Sequence, residues 1–593
     1  MAELKIFKKQ EFSIVVFLVV CVQLLLSFQG FDVCDDGFAL TFYQQIYNNP
    51  QSVEYNFVYW LSGVVGGVWY EVFPKGGILW FRIFTVIINT ATFVLAYRIF
   101  RQVMPKRVLL LGLLTVIFVN DYGFLTYYHN HLTAFLALLS VWFLMRGITK
   151  KKMSYILVSG AIIAINIFTR IPNASLLIFI LAIPFSTMTS GVRYKVAIKP
   201  MFMFVLGVVI GLLFILLLLL ALDQLEIMKR AIYGLFDLGK TQGSSHNINA
   251  LLKSYVFKYI KLFVEGGKLS LLLLFFLIGY SYFNKKQILK TIILIVSIVA
   301  LFVYFKIGKI YPIYAIAYLG VLLTLFTKSE PSDIKTLAFL GVLMLTFLPL
   351  GSGGGITSSG YMCIWLSVPF FFYWLNDLQS FKGYIGTGLM IGVKQDIIMK
   401  KTCQVLVLII GVTFLTAKAY NVSGEAYFDH GSRLKKTYAI NNTLAKGVYT
   451  KERRANIVNE LLLHIDDYVK PDDYLLVYDK VPMLHFLTKT KPYMYNPWVW
   501  IYDHHSFKKK LLYAEEHILK YPVIVQQKFE TIWSFSEPIP EYLSEDFNND
   551  KNLINAYDAK KNKVMNDFLS RNDYKIVWSN DYFNIYQTQK YHK

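Results

Sequence analysis

The chain has 593 residues, of which 55% are hydrophobic and only 17% are charged; its mean hydropathy is +0.45 and its net charge is +22. A soluble globular protein carries about a quarter charged residues, so this composition excludes an ordinary soluble enzyme. The lysines and arginines fall in short clusters between apolar runs. This placement argues against a continuous nucleic-acid-binding face.

Apolar runs recur along the first two thirds of the chain. A bilayer core needs about 20 apolar residues per helix. The sequence predicts about thirteen transmembrane helices, near residues 12–29, 77–98, 107–121, 131–148, 154–169, 173–190, 200–222, 269–284, 290–306, 310–327, 335–350, 361–378 and 402–420. The first run has no small-residue cleavage site after it, which indicates a retained helix rather than a signal peptide.

The charges between these runs predict the orientation. Basic clusters recur in alternate loops, and the positive-inside rule places those loops in the cytoplasm together with the N-terminus. The clusters include Arg98 to Arg107, Lys150 to Lys152, Arg193 to Lys199, Lys285 to Lys290, Lys328 to Lys335 and Lys394 to Lys401. An odd number of helices then places residues 421–593 on the extracytoplasmic side.

Two of the predicted outer loops are long. In the first, residues 30–76, the segments 38–47 and 57–73 are apolar on one side, and we expect them to be helices lying in the membrane interface. The second, residues 223–268, joins the seventh and eighth helices.

The composition changes abruptly near residue 421. Helical patterns alternate there with short strand-like runs at 474–478, 522–526, 574–579 and 582–587, which predicts a small α/β domain. The expected fold is therefore an all-α polytopic membrane domain, residues 1–420, followed by an extracytoplasmic α/β domain, residues 421–593. No glycine-rich nucleotide motif or metal-ligand spacing occurs in the second domain.

Three carboxylates, Asp32, Asp35 and Asp36, directly follow the first helix, and Asp121 stands in the next outer loop. Acidic residues at the hydrocarbon boundary are costly to dehydrate, and clustering raises the pKa of at least one of them, as a general base requires. A solvated loop end with incidental charge is the alternative.

Cations are scarce on the predicted outer side, which makes them candidates for binding an anion. The candidates are Lys75, Arg82, Arg170, Lys306 and Lys309. A phosphate group suits such residues, bound bidentately by arginine or as a point charge by lysine. Snorkelling to lipid headgroups is the alternative for each.

Three further features are open to two interpretations. The glycine-rich stretch 350–360 is either a flexible connection or a backbone cradle for an anion or a sugar. His129 and His131 are expected to form hydrogen bonds or interface contacts rather than bind a metal, because a third ligand is lacking. Cys34 and Cys363 both fall near the outer face, where a disulfide would require a Cα separation that sequence cannot supply.

Taken together, these features resemble the GT-C glycosyltransferases, such as the protein O-mannosyltransferase and lipid A aminoarabinose transferase families. Asp35-Asp36-Gly37-Phe38-Ala39 resembles the acidic motif of that superfamily, and Phe81-Arg82-Ile83 resembles the Arg-Leu pair at the start of its second helix. Residues 474–500 look like the outer domain of bacterial members. Asp36 stands where glutamate is frequent, and Tyr55-Asn56-Phe57 replaces the usual Tyr-Pro-Pro.

The resemblance implies transfer of a sugar, with inversion, from a polyprenyl-phosphate donor to an acceptor hydroxyl at the outer face. It implies Asp35 as the base and Asp36 or Asp32 in positioning the acceptor or a cation, with Asp121 as a second acid. It implies that the five cations bind the donor phosphate, with Arg170 and Lys309 as the first candidates. A divalent cation, Mg or Mn, at Asp35 and Asp121 is left open.

The expected partners are the lipid-linked donor, a lipid, glycan or protein acceptor, and membrane lipids, without nucleic acid. The expected location is the cytoplasmic membrane of a bacterium. Two other functions are open: a polysaccharide polymerase or ligase, and a transporter or flippase of lipid-linked saccharides, which would require inverted repeats that the sequence does not contain.

Overall fold

A computed structural model of the chain describes residues 2–119, 126–240, 248–283, 285–327, 329–352, 354–376, 393–478, 480–528 and 559–590. Its α-helices are α1 Ala2–Leu26, α2 Asp35–Gln45, α3 Trp60–Val72, α4 Gly77–Phe100, α5 Lys106–Ile117, α6 His129–Lys150, α7 Met153–Ile167, α8 Ala182–Thr189, α9 Ile198–Ala221, α10 Leu225–Lys240, α11 Ile248–Tyr282, α12 Gln287–Ile307, α13 Tyr311–Phe326, α14 Ser332–Phe347, α15 Ile356–Cys363, α16 Val368–Asn376, α17 Val393–Gly424, α18 Glu452–Ile465, α19 Met483–Thr488, α20 His504–His517 and α21 Ala559–Arg571. Two longer 3-10 helices span Pro50–Tyr59 and Ile171–Leu181.

Long apolar helices dominate the first 424 residues. Within the described ranges, seven helical stretches are long and apolar enough to cross a membrane: Pro74–Phe100, His129–Lys150, Ile171–Thr189, Tyr194–Ala221, Leu251–Tyr282, Gln287–Ile307 and Ile398–Gly424. Shorter apolar helices lie at Gln10–Leu26, Met153–Ile167 and Tyr311–Phe326. Each predicted run falls mainly on helix, which is consistent with a multi-pass membrane protein, while the count of thirteen stays a prediction.

Residues 38–47, which were expected to present an apolar side to the membrane interface, are covered by other parts of the protein. They form most of α2, and ten of the eleven residues of that helix are buried. The helix packs between α3 and α19, so protein, not lipid, covers its apolar side chains. By contrast, α3 leaves Val68 and Val72 exposed, as an interface helix does.

The second long outer loop also differs from the prediction. Most of residues 223–268 is helical, in α10 and in the first part of α11. Lysines such as Lys258 and Lys261 lower the hydropathy of this stretch, but lysine is a good helix former, so the helix of the eighth run extends to residue 248. Helix α10 packs against the 3-10 helix Pro50–Tyr59 of the first loop.

The C-terminal region contains the predicted sheet. Its strands are β1 Tyr438–Ala439, β2 Tyr449–Thr450, β3 Tyr474–Tyr478, β4 Lys491–Pro492, β5 Val523–Gln527, β6 Lys575–Ser579 and β7 Phe583–Gln587. The main sheet has the order β4-β3-β5-β7-β6, in which β3 is parallel to β4 and β5, and β7 is antiparallel to its two neighbours. The four predicted strand-like runs, now β3, β5, β6 and β7, are confirmed.

The first loop and the C-terminal region share one apolar core. Phe38, Phe42 and Trp60 of the loop are buried in the same cluster as Met483 and Phe486 of α19. The core places the first turn of α2 beneath the C-terminal region rather than at a free surface.

A buried ion-pair network joins the C-terminal region to the end of α1. Asp429 is fully buried, and its carboxylate accepts hydrogen bonds from the Phe31 amide at 2.9 Å and from the Thr450 hydroxyl at 2.7 Å. The Lys436 ammonium lies at 3.2 Å and the Arg454 guanidinium at 3.7 Å from the same carboxylate. Burial opposes ionisation, but the two cations outweigh it and hold the pKa of Asp429 below its usual range.

Replacing Asp429 by asparagine should therefore destabilise the protein. Asp429→Asn preserves the side-chain volume but leaves two buried cations without their counter-charge, a change that costs about 3–5 kcal/mol. We expect a lower Tm in detergent micelles and faster tryptic cleavage around residues 425–436.

The matched control is Asp573→Asn. Asp573 pairs with Lys590 at 2.6 Å but is 65% exposed, and an exposed pair contributes at most about 1 kcal/mol. Equal Tm shifts for the two variants would contradict the role assigned to Asp429.

Candidate active site

A cavity of about 230 Å³ lies at the first turn of α2. Its lining comes from separate segments of the chain: Asp35, Tyr55, Val58, Tyr59, Tyr128, His129, Asn130, Arg170, Pro172, Leu235, Gly351, Ser352, Ser358 and Ser359. All of these segments belong to connections that the sequence assigns to the outer side, or to the helix ends next to them. We call this space the Asp35 cavity.

Asp32 shapes the start of α2. Its carboxylate accepts hydrogen bonds from the backbone amides of Cys34 at 2.7 Å and Asp36 at 2.9 Å, so it satisfies amides that a helix start leaves unpaired. Residue 37 is a glycine because a Cβ atom at this position would lie 2.1 Å from the Met483 amide nitrogen. A side chain at this position would push α19 away from α2.

Asp35 is the acidic residue that reaches the cavity. It is half-buried, and the hydroxyl of Tyr427, from the segment after α17, donates a hydrogen bond to its Oδ2. Tyr427 lies 392 positions away in the sequence. Sequence reasoning missed it, and nothing in its neighbourhood signals the contact.

Asp36 is not one of the residues that line the cavity. Its Oδ2 accepts a hydrogen bond from the Thr126 hydroxyl at 2.6 Å and lies 3.6 Å from the Arg82 guanidinium. Arg82 is fully buried and donates to the backbone carbonyls of Ser27 and Gly30, both at 2.7 Å. Asp36 and Arg82 thus fix the turn between α1 and α2, and Arg82 presents no surface to a phosphate.

The three neighbouring carboxylates have raised pKa values for related reasons. Burial, opposed by the Tyr427 hydrogen bond and aided by the charge of Asp36, raises the pKa of Asp35 to about 6. Burial also raises the pKa of Asp36 against the pull of Arg82, and it raises that of Asp32 well above the usual range. A carboxylate that titrates near neutral pH suits a general base.

Arg170 lines the opposite part of the cavity. It immediately precedes the 3-10 helix Ile171–Leu181, is 5% exposed, and donates a hydrogen bond of 3.4 Å to the Leu348 carbonyl. Of the five predicted cations, it is the one found in the cavity lining. A buried guanidinium in a cavity is suited to bind an oxyanion.

The predicted glycine-rich stretch lies beside Arg170. Gly351 has a φ of +76°, and a Cβ there would lie 2.7 Å from Pro172, so glycine alone fits without strain. The Ser352 and Ser358 hydroxyls are 2.6 Å apart and both line the cavity. The stretch therefore places hydroxyls beside a guanidinium.

Lys258 of α11 is a further basic residue that sequence reasoning missed. Its ammonium donates a hydrogen bond to the Gly354 carbonyl, next to the serines. Lys258 was missed because residues 223–268 were predicted to form a loop, whereas Lys258 lies on a helix.

The remaining predicted residues lie elsewhere. Lys75 and Lys309 are exposed, and the Lys306 ammonium sits 4.0 Å above the Tyr420 ring. As far as the described residues define the cavity, none of these three lysines lines it. Asp121 lies outside the described residues.

The histidines and cysteines have partners of their own. His129 stacks on Tyr59 at 4.0 Å, and the His131 Nδ1 accepts a hydrogen bond from the Tyr128 amide at 3.0 Å. Cys34 and Cys363 are free thiols whose Sγ atoms donate to the carbonyls of Lys480 and Ser359, so no disulfide joins them. No cluster of three or more metal-ligating side chains occurs in the described part of the chain.

No protein-family model matches the chain, and no curated protein matches it. Among solved structures, it is similar to an Archaeoglobus fulgidus oligosaccharyltransferase in complex with Zn and sulfate, with 11% sequence identity and a TM-score of 0.45, over 86% of this chain and 68% of that one. It is also similar to the A. fulgidus oligosaccharyltransferase AglB in complex with an inhibitory peptide and a dolichol-phosphate, with 11% identity and a TM-score of 0.43, over 89% and 71% of the two chains.

A third structure is the A. fulgidus oligosaccharyltransferase tethered to an acceptor peptide with the sequon NVT, at 12% identity and a TM-score of 0.43, over 89% of this chain and 70% of that one. At such low TM-scores these neighbours say nothing of the site, whose chemistry follows from this chain's own residues.

The titration of Asp35 can be measured directly by infrared spectroscopy of its carboxyl group. We expect a midpoint near pH 6, with the band identified by its loss in Asp35→Asn. Tyr427→Phe removes a hydrogen bond to the ionised form, so the midpoint should rise by about one to two pH units.

Tyr468→Phe is the control, because the Tyr468 hydroxyl bonds to the Val577 carbonyl and not to Asp35. An unchanged midpoint in Tyr427→Phe would contradict the hydrogen bond from Tyr427 to Asp35. A shift in Tyr468→Phe would show that the change of midpoint is not specific to Tyr427.

Proposed function

We propose that the chain is a membrane glycosyltransferase. It transfers a sugar from a polyprenyl-phosphate donor to an acceptor hydroxyl at the outer face of the membrane, with inversion at the anomeric carbon. The observation that supports this most is that a carboxylate titrating near neutral pH, Asp35, and a buried arginine, Arg170, line the same cavity.

Asp35 serves as the general base in this reaction. It takes the proton of the acceptor hydroxyl as the oxygen forms a bond to the anomeric carbon of the donor. The bond between that carbon and the phosphate oxygen breaks, and its electron pair leaves with the polyprenyl phosphate. Attack opposite to the departing phosphate inverts the anomeric configuration.

Arg170 stabilises the departing phosphate. Its guanidinium donates to phosphate oxygens as their negative charge grows, and the Ser352 and Ser358 hydroxyls supply further hydrogen bonds. The reaction thus needs the base and the phosphate site on two sides of one cavity.

Asp36, Arg82 and Asp32 act as positioning residues. They hold the first turn of α2 through backbone and side-chain hydrogen bonds and thereby aim Asp35 into the cavity. The resemblance gives Asp32 and Asp36 a positioning role, and we propose that they position Asp35. Of the cations that the resemblance assigns to the donor phosphate, we propose Arg170.

Asp35 would be the carboxylate ligand of a divalent cation in the cavity. Asp32 and Asp36 are bonded to backbone amides, Thr126 and Arg82, so Asp35 alone brings a carboxylate to the cavity. Mg²⁺ and Mn²⁺ prefer several oxygen ligands. The steps given above use this chain's own side chains, and Asp121, the second acid named with the cation, lies outside the described residues.

The cavity supports the predicted orientation. Its lining comes from the first loop, from residues 128–130, and from residues 170–172 and 351–359, all of which the charge pattern assigns to the outer side. We propose that the cavity and residues 421–593 lie on the extracytoplasmic side of the membrane.

The function can be tested in cells that lack the protein. Lipid-linked sugar should accumulate and its transfer product should disappear, as measured by mass spectrometry of glycolipids and envelope glycans. The wild-type chain should restore the product, whereas Asp35→Asn should lower the transfer rate by about 10²–10⁴-fold, and Arg170→Gln by about 10²–10³-fold.

Asp223→Asn and Lys75→Gln are the matched controls, because both residues are exposed and neither lines the cavity. They should restore the product fully. Normal transfer by folded Asp35→Asn protein would remove Asp35 from the role of base.

The pH dependence follows from the pKa of Asp35. Because the base must be ionised and its pKa is raised to about 6, the transfer rate should rise tenfold per pH unit below pH 6 and level off above it. Rates measured in nanodiscs from pH 4.5 to 8 check this. A rate that stays constant across that range would contradict it.

A further inference from the structure

Tyr59 contributes a phenol hydroxyl to the Asp35 cavity. It is the last residue of the 3-10 helix Pro50–Tyr59, and its side chain is half-buried. The hydroxyl forms no hydrogen bond with a described residue, and it is not among the polar groups that are sealed from solvent. A ligand in the cavity can therefore bond to it.

Two aromatic contacts hold the ring of Tyr59. His129 stacks on it with a centroid distance of 4.0 Å and an interplanar angle of 10°, and Phe38 meets it edge to face at 6.3 Å. His129 packs in turn against Tyr128 at 4.1 Å. A tyrosine side chain has only two rotatable angles, so a ring held in this way keeps its hydroxyl in one place. A hydrogen-bond donor that is fixed before the ligand arrives binds it at little entropic cost.

Both charged groups of the cavity act on the Tyr59 hydroxyl. Burial raises its pKa, the guanidinium of Arg170 opposes this rise, and the carboxylate of Asp35 adds to it. The phenol therefore stays protonated at neutral pH and can donate a hydrogen bond. The base and the departing phosphate flank the anomeric carbon in an inverting reaction. A donor near Arg170 in this cavity is thus placed to reach the phosphate.

A neutral donor suits a position near the base better than another cation would. A lysine or arginine beside Asp35 would favour its ionised form and lower its pKa below the range that suits a general base. A phenol hydroxyl brings no charge. It can still form a short and strong hydrogen bond, because the phosphate oxygen that accepts it is ionised.

We propose that Tyr59 is a further ligand of the donor phosphate, and that its hydroxyl donates a hydrogen bond to the phosphate group that Arg170 binds. This inference rests on the proposed function, in which that phosphate is the leaving group. His129 acts as a positioning residue, because its ring holds the ring of Tyr59.

Binding of the leaving group tests the proposal without any transfer. The probe is geranyl phosphate, a short polyprenyl phosphate, titrated calorimetrically into the full chain in nanodiscs, with empty nanodiscs as the blank. Tyr59→Phe removes one charge-assisted hydrogen bond, so it should weaken binding by about 10- to 100-fold. Inorganic phosphate is the second probe, and it should bind more weakly than geranyl phosphate because it lacks the apolar chain.

Tyr47→Phe is the matched control. Tyr47 belongs to the same loop, but its hydroxyl donates to the Val64 carbonyl at 2.8 Å and it does not line the cavity. This variant should bind geranyl phosphate as the wild type does. Three results would overturn the proposal: no binding of geranyl phosphate to the wild type, the same affinity in Tyr59→Phe as in the wild type, or inorganic phosphate bound as tightly as geranyl phosphate.

Two variants of His129 test its positioning role. His129→Phe keeps a ring against Tyr59 and should retain most of the geranyl phosphate binding, whereas His129→Ala removes the stack and should weaken binding several-fold. Equal weakening in the two variants would show that the ring does not act by holding Tyr59.

Asp35→Asn separates this inference from the proposed function. It should bind geranyl phosphate at least as tightly as the wild type, because it removes a negative charge from the cavity, while it loses transfer. Normal transfer by this variant would refute the base and not the phosphate ligand. Binding that is weakened in Arg170→Gln but not in Tyr59→Phe would refute the role of Tyr59 alone.

Discussion

The structure depends on the buried carboxylate of Asp429. This group is taken out of water and is stable as an anion because two cations, a hydroxyl and the Phe31 amide surround it. Arg454 also donates to the carbonyls of Phe31 and Phe428, so the same network ties both chain segments together. The position of α2, and with it the site, follows from this junction of the C-terminal region and the end of α1.

Three carboxylates within five residues have different surroundings and hence different roles. Asp32 is bonded to amides at the start of α2, Asp36 is bonded to Thr126 and lies beside Arg82, and Asp35 reaches the cavity. All three residues are aspartates, so the residue type alone does not distinguish their roles. Their hydrogen bonds distinguish a capping residue, an ion-pair partner and a group that can exchange a proton with a ligand.

Much of the architecture could be predicted from the sequence because it depends on local patterns. Apolar runs predicted the helices, short strand-like runs predicted the strands β3, β5, β6 and β7, and cations on the predicted outer side included Arg170. The burial of α2 could not be predicted, since an apolar helix face looks the same whether lipid or protein covers it. Tyr427 and Lys258 were missed because contacts between distant segments leave no local pattern.

Tyr427 and Asp429 stand two positions apart in one short segment, and this proximity has a thermodynamic consequence. The Tyr427 hydrogen bond favours the ionised form of Asp35, so this contact and the ionisation of Asp35 favour each other by the same free energy. Burial beneath the C-terminal region favours the protonated form and is the larger effect, because the pKa of Asp35 is raised to about 6. Any force that draws that region away from the membrane domain therefore hydrates Asp35 and makes it release a proton at neutral pH.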